Sequence, residues 1–191
     1  MRVVVAGLAL ILLSVAPGSA SAGPTWRGAT TAGLGVRGNQ GSVLTGGFRL
    51  VIASALSISG HDVVVELDRQ IGIDNLIEDA SGDRARWHET VLAVRTGRRY
   101  TLVRGLSLML TGGGAVVRAT VTGLSGDKVA RVNLGADGGA ALVWQSRTLL
   151  VTVGGGVTAV PFRQFVQTGP FEVVLGARVE GYGSLAVGFA Y

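Results

Sequence analysis

Residues 62–72 read Asp62-Val63-Val64-Val65-Glu66-Leu67-Asp68-Arg69-Gln70-Ile71-Gly72. Val63, Val65, Leu67 and Ile71 fall on one parity, and Asp62, Glu66, Asp68 and Gln70 on the other. Successive side chains of a β-strand point to opposite faces, so the stretch is a strand with one apolar and one strongly polar side. Arg69 interrupts the apolar side near one end, where a long side chain can carry its charge to an interface.

The same alternation extends both ways along the chain. Toward the N-terminus, Val43 to Ile58 puts Leu44, Phe48, Leu50, Ile52, Leu56 and Ile58 against Thr45, Gly47, Arg49, Ala53 and Ser57. Before it, Trp26 to Arg37 alternates Trp26, Leu34 and Val36 with Arg27, Thr31 and Arg37. Toward the C-terminus, the predicted strands are Trp87 to Thr96, Tyr100 to Val121, Val129 to Trp144, Thr148 to Val160 and Phe171 to Tyr191. In the second of these the apolar parity changes from Leu106, Leu108 and Leu110 to Val117, Ala119 and Val121 across Gly112-Gly113-Gly114. A one-residue slip at glycines predicts a β-bulge there. The last strand holds one parity from Phe171 to Tyr191, with Glu172, Arg178, Glu180 and Tyr182 on the other. That makes eight strands. The intervening segments are three-residue turns at Ser59-Gly60-His61, Gly97-Arg98-Arg99 and Gln145-Ser146-Arg147, and longer polar loops, the longest from Ile73 to Arg86.

The first residues stand apart from this pattern. Met1-Arg2 precedes the apolar run Val3 to Val15, Pro17-Gly18 breaks it, and Ala20-Ser21-Ala22 supplies small residues for cleavage. This is the three-part form of a secretory signal peptide, so residues 1–22 are expected to be removed, with Ala20 as a second cleavage position. The mature chain, 23–191, is expected to form one domain. It would keep 16 basic and 12 acidic side chains, a net charge of +4. There is no cysteine, so no disulfide framework holds the fold. The arginines are scattered mostly singly, which argues against a nucleic-acid-binding face.

Mean hydropathy is +0.46, yet past residue 22 no apolar run approaches the ~18 residues of a membrane helix. A chain that is apolar overall but never continuously so fits strands that cross a bilayer. Hydrocarbon offers no hydrogen-bond partners, so strands cross it only as a closed sheet. The alternation of short turns with long loops is that of an outer-membrane barrel, whose short turns face the periplasm. Trp26, Tyr100, Trp144, Phe189 and Tyr191 then fall at the periplasmic ends of strands, and Trp87 and Phe171 at the outer ends, as two aromatic girdles.

The chain closes on Leu185-Ala186-Val187-Gly188-Phe189-Ala190-Tyr191, an alternating strand with a terminal aromatic. This resembles the C-terminal signature of bacterial outer-membrane proteins, although Phe is the commoner last residue. The whole mature pattern resembles the small barrels of the OmpA transmembrane-domain and OmpX type. The resemblance implies an all-β, eight-stranded antiparallel up-and-down transmembrane barrel in the bacterial outer membrane, recognised by the barrel-assembly machinery. Outer-membrane lipid and lipopolysaccharide are its expected surroundings, as a monomer. No room remains for a peptidoglycan-binding domain.

An eight-stranded barrel has an interior just wide enough for side chains to fill it. Arg49, Glu66, Asp68, Glu89, Asp137, Arg178 and Glu180 all fall on the inward parity. Buried charges must pair, so they are expected to form a salt-bridge network that plugs the barrel and fixes register. The alternative is a narrow, porin-like ion path lined by the same groups.

Catalysis finds little support. Lipid hydrolysis or acyl transfer needs a nucleophile, a base and an orienting group. His61 sits in a turn; His88 lies beside Glu89 with Ser81 in the adjacent loop, and no G-x-S-x-G is present. Gly112-Gly113-Gly114 and Gly154-Gly155-Gly156 lack the Lys-Ser/Thr and helix of a phosphate loop. Asp74, Glu78, Asp79 and Asp83 do not have Ca²⁺-loop spacing. No cofactor or metal is expected. The rival of another class is a secreted, lipocalin-like barrel binding an apolar ligand, which would turn its aliphatic face inward. Charged residues make up only 15% of the chain, too few to solvate a whole exterior.

Overall fold

A computed structural model describes residues 28–39, 48–58, 61–71, 75–78, 84–123, 126–162, 164–168, 171–175 and 178–191. For 39, 75–78, 84, 164–168, 171–175 and 178 only the backbone is described. The expected signal peptide and Trp26 lie outside these residues.

The alternating segments become strands in the order β1 (Gly28–Asn39), β2 (Phe48–Ile58), β3 (His61–Gln70), β4 (Asn75–Glu78), β5 (Arg84–Val103), β6 (Leu106–Thr122), β7 (Lys128–Ser146), β8 (Leu149–Val160), β9 (Gln164–Thr168), β10 (Phe171–Leu175) and β11 (Arg178–Ala190). Eight of them, β1, β2, β3, β5, β6, β7, β8 and β11, pair antiparallel with their neighbours. β1 pairs with β11, and β3 pairs with β5 across the position of β4, so the sheet closes on itself. Closure removes the sheet edges that hydrocarbon would leave without partners.

The parity read from the sequence sets the two faces. Leu34, Leu50, Ile52, Val65, Leu67, Leu92, Val94, Val132, Leu134, Leu142, Val153, Leu185 and Val187 are exposed on the outside. Leu134 and Leu185 are 64% and 56% exposed. Arg37, Arg49, Asp68, Glu89, Arg95, Asp137 and Glu180 are buried inside. A lipocalin-like soluble barrel would need the reverse, so that rival is excluded by the direction of the aliphatic side chains.

One end carries the close connections β2–β3, β5–β6 and β7–β8 together with Gly28 and Tyr191, whose backbones pair at 3.0 and 2.9 Å. The other end carries the long connections. Trp144, Phe189 and Tyr191 are exposed at the short-turn end, and Phe48 and Phe162 are exposed toward the long-loop end.

Four sequence expectations are corrected. First, Gly97-Arg98-Arg99 is no turn: β5 runs unbroken through it to Val103, and the turn is Arg104-Gly105, with Gly105 at φ 79°. Gly97 is glycine because a Cβ would lie 1.9 Å from the Leu110 carbonyl oxygen on β6. Second, no bulge occurs at Gly112-Gly113-Gly114. The β5–β6 register is constant from Arg86↔Thr122 to Thr101↔Ser107, and the shift lies between Thr101 and Val103. Val117, Ala119 and Val121 therefore face inward. With Val91, Ala93, Ala115 and Val160, Val117 forms an apolar cluster inside the barrel. Third, the segment 73–86 is not wholly loop: β4 pairs with the start of β5 and extends the wall past β3. Fourth, the last predicted strand is divided. β10 pairs with β9 in a hairpin of its own, and β11 alone enters the barrel.

Candidate functional site

The lumen is crossed by charged side chains whose order follows from register. Arg95, Gly113, Asp137, Thr158 and Glu180 form one hydrogen-bonded row across β5, β6, β7, β8 and β11. Glycine at 113 gives Arg95 a clear path over β6, and its Nε donates to Asp137 Oδ1. The other two guanidinium nitrogens donate to Glu66 Oε1 and Oε2 on β3, at 2.9 and 3.1 Å. Asp137 is satisfied further by the Thr158 hydroxyl, and Tyr182 Oη donates to it at 3.2 Å.

Arg37, Tyr182, Gly156 and Gly139 make the adjacent row. The Tyr182 ring lies across the two glycines. A Cβ on Gly139 or Gly156 would stand 2.8 or 2.6 Å from its hydroxyl. Arg37 and Arg95 sit over the same ring, at 5.0 and 5.2 Å from its centre, within cation–π range. Arg37 also donates to Asp68 at 3.1 Å and to Thr158 at 2.8 Å, and pairs with Glu180 at 3.4 Å. Arg49 completes this side by pairing with Asp68 and donating to the Glu89 carbonyl oxygen at 3.3 Å. Nearer the short turns, Arg99 pairs with Asp62 at 2.7 Å.

The network joins seven of the eight barrel strands, and β6 contributes the glycine that lets it pass. Such multiply hydrogen-bonded ion pairs are what a buried charge needs, because an isolated one is strongly unfavourable. Between this belt and an apolar cluster of Ala29, Val143, Leu150 and Ala190 lies a cavity of about 80 Å³. Glu66, Arg95 and Tyr182 line its belt side, and Ala53, Val64 and Met109 line its walls.

Of the sequence-predicted lumen set, Arg49, Glu66, Asp68, Glu89, Asp137 and Glu180 all face this interior. They do not meet as one ring: Glu66 and Asp137 share Arg95, whereas Asp68 and Glu180 share Arg37. The Arg178 side chain lies outside the description. The sequence reading omitted Arg37, Asp62, Arg95, Arg99, Thr158 and Tyr182. Arg37, Asp62 and Arg95 already stood on the polar parity, but each lay next to a predicted turn or strand end. Arg99 falls in a segment with the composition of a turn that is strand in the structure.

Among the predicted interface aromatics, Trp144, Phe189 and Tyr191 are exposed, and Tyr100 is half-buried with outward parity. Trp87 is a correction. It shares the inward parity of Ala85, Glu89 and Val91, is half-buried, and its Nε1 has no partner among the described residues. The Phe171 side chain lies outside the description. His88 and Glu89 are adjacent on β5 and so point to opposite faces, with Glu89 buried inward. Among the described residues no group of carboxylates and histidines has a metal-binding arrangement.

No protein-family model matches the sequence, and no curated relative does. Solved structures do share the fold. Neisserial surface protein A superposes with a TM-score of 0.63 at 13% identity, covering 86% of this chain and 96% of that one. A major outer membrane protein from Thermus thermophilus gives 0.58 at 10% identity, covering 86% and 99%. Ail, the attachment invasion locus protein of Yersinia pestis, gives 0.55 at 11% identity, covering 86% and 97%. These identities speak to fold, and the exposed aliphatic wall speaks to lipid. The fold of this chain is that of the small eight-stranded barrels, similar to these solved bacterial outer-membrane proteins.

Proposed function

We propose that the protein is a non-enzymatic wall element of the outer membrane, closed inside, with an envelope-structural or surface-contact role. The observation that carries this is the Arg37–Asp68–Arg49 and Glu66–Arg95–Asp137 belt, bridged by Tyr182, which ties opposite walls of the lumen together. The inward apolar clusters above and below it support the same reading. The separation of His88 from Glu89 across the wall supports a role without acid–base catalysis. Surface contact is also the role suggested by the names of Neisserial surface protein A and of the attachment invasion locus protein, the latter solved with the heparin analogue sucrose octasulfate. Lipid and lipopolysaccharide are its surroundings in this proposal, and the barrel-assembly machinery its partner during biogenesis.

Planar-bilayer recording of the folded full chain tests the closed interior. The expected result is no steady conductance; long-lived unitary channels would contradict it. A second reading, a narrow cation path, is favoured by one observation. Four arginines, Arg37, Arg49, Arg95 and Arg99, with the exposed Arg131 on the inward parity at the long-loop mouth, face six carboxylates, Asp62, Glu66, Asp68, Glu89, Asp137 and Glu180, among the described residues. If channels are recorded, their selectivity for cations over anions is what that excess of negative charge requires.

A further inference from the structure

The acids of the wall stand on one face only, while its cations stand on both. Every Asp and Glu of the eight barrel strands, Asp62, Glu66, Asp68, Glu89, Asp137 and Glu180, faces the lumen. On the outside, toward the long loops, stand Arg69 on β3, Arg86 on β5, Arg118 on β6 and Lys128 on β7, all exposed. Among the described residues none of these four cations has a side-chain hydrogen bond or ion pair. The nearest acids in sequence register are Glu78, paired in the backbone with Arg84, and Asp127, beside Lys128 at the turn.

Register turns these four into two pairs. Arg69, Thr90 and Arg118 form one row across β3, β5 and β6. Arg86, Thr122 and Lys128 form another across β5, β6 and β7. In each row the two cations stand two strand steps apart, about 10 Å, with a threonine hydroxyl between them. The rows are separated by about 13 Å along the strands, with His88 and Thr120 in the intervening row.

Their height matters as much as their spacing. On β3 Arg69 interrupts the outward apolar face between the exposed Leu67 and Ile71, with the exposed Leu50 beside it on β2. On β7 the corresponding run extends from Val132 to Trp144. Arg69 and Arg118 therefore stand at the rim of the exposed apolar surface, with Leu50 and Val132 as their neighbours in the row, and neither has a partner among the described residues. A cation held at headgroup depth without a protein partner calls for an anion from the leaflet.

We propose that this patch binds the phosphate groups of an outer-leaflet phosphorylated glycolipid, Arg69 and Arg118 taking one phosphate and Arg86 and Lys128 a second. A planar guanidinium presents a fork of donors matched to phosphate oxygens, and the intervening threonine hydroxyls can donate as well. The assignment rests on the membrane placement derived above. It commits to a lipid headgroup as the source of the phosphate.

The test uses the folded full chain in detergent micelles, titrated with bisphosphorylated lipid A, with the same lipid after phosphatase treatment, and with inorganic phosphate, and read by native mass spectrometry. Bisphosphorylated lipid A is expected to bind at least tenfold tighter than the dephosphorylated lipid, and millimolar inorganic phosphate is expected not to displace it. The variant R69Q/R86Q/R118Q/K128Q should lose that preference, while R104Q/R147Q, altered at the short turns, should keep it. Heat-modifiable gel mobility shows separately whether each protein is a folded barrel, so failure of the membrane reading is distinguishable from failure of the site. If the quadruple variant does not fold, R69Q/R118Q and R86Q/K128Q are compared instead, and each should lose threefold or more. Equal binding of the two lipids, an unchanged preference in the folded variants, or displacement by inorganic phosphate would overturn the proposal.

Discussion

Arg95 and Tyr182 are the residues on which the interior turns. Arg95 is the shared partner of Glu66 and Asp137, so Arg95→Ala leaves two carboxylates facing each other with no cation between them. Removing one partner of a buried pair costs about 3–5 kcal/mol, and that is the expected loss in unfolding free energy by urea titration in lipid vesicles. Tyr182→Phe keeps the ring under both guanidinium groups and deletes only the hydroxyl bond to Asp137. It should cost about 1 kcal/mol in the same titration. Gly156→Val should cost more, because its Cβ would also stand 2.2 Å from the Gly138 carbonyl oxygen. Overpacking of that kind costs about 1–3 kcal/mol. Sequence parity alone placed Glu66, Asp137 and Glu180 inside correctly, because alternation fixes facing. It could not say which acid meets which base. That depends on the stagger between strands, and Arg95 belongs to the middle of β5 only once the false turn at Gly97 is removed.

Strand ends were harder to read than strand faces. Gly97-Arg98-Arg99 has the composition of a turn, but its glycine answers to the close approach of β6, and Arg99 turns inward to Asp62. The actual turn, Arg104-Gly105, is shorter, and its signature is the single left-handed glycine. Gly105→Ala forces a Cβ into that conformation, at an expected cost of about 1 kcal/mol, with slower folding into vesicles as the accompanying observation. The apolar parity of β6 changes at Gly112-Gly113-Gly114 without a bulge because the apolar side chains beyond it face the lumen. In the half of the barrel near the long loops, Ala115, Val117, Ala119 and Val121 of β6 pack inside while Arg118, Thr120 and Thr122 stand outside, so the apolar parity there marks the lumen and not the lipid face. The division of the final predicted strand into β10 and β11 is a different case: Phe171 to Val179 keeps its alternation whether or not the chain leaves the wall, and the mark of the β9–β10 hairpin is Gly169-Pro170 in sequence between the paired Thr168 and Phe171.

For the whole molecule, the number of strands, their antiparallel order and the identity of the outward face were legible because all three follow from period-2 patterning and from the need to close the sheet. Two consequences separate a lipid-facing wall from a water-facing one. Leu185→Arg, at the middle of the outward run from Val179 to Tyr191, should destabilise the barrel in vesicles by about 2–4 kcal/mol, the cost of arginine near the bilayer midplane, whereas on a hydrated surface the change would be nearly neutral. The chain has no cysteine, which permits the most direct measurement: single spin labels at Leu134, Leu185 and Val94 on the outside and at Val117 and Ala186 on the inside, in protein folded into lipid vesicles. The account predicts that the three outward labels are relaxed strongly by oxygen dissolved in lipid and weakly by a water-soluble nickel chelate, while the two inward labels are immobile and shielded from oxygen. Outward labels freely reached by the aqueous chelate, in a protein that stays dissolved without detergent or lipid, would contradict it.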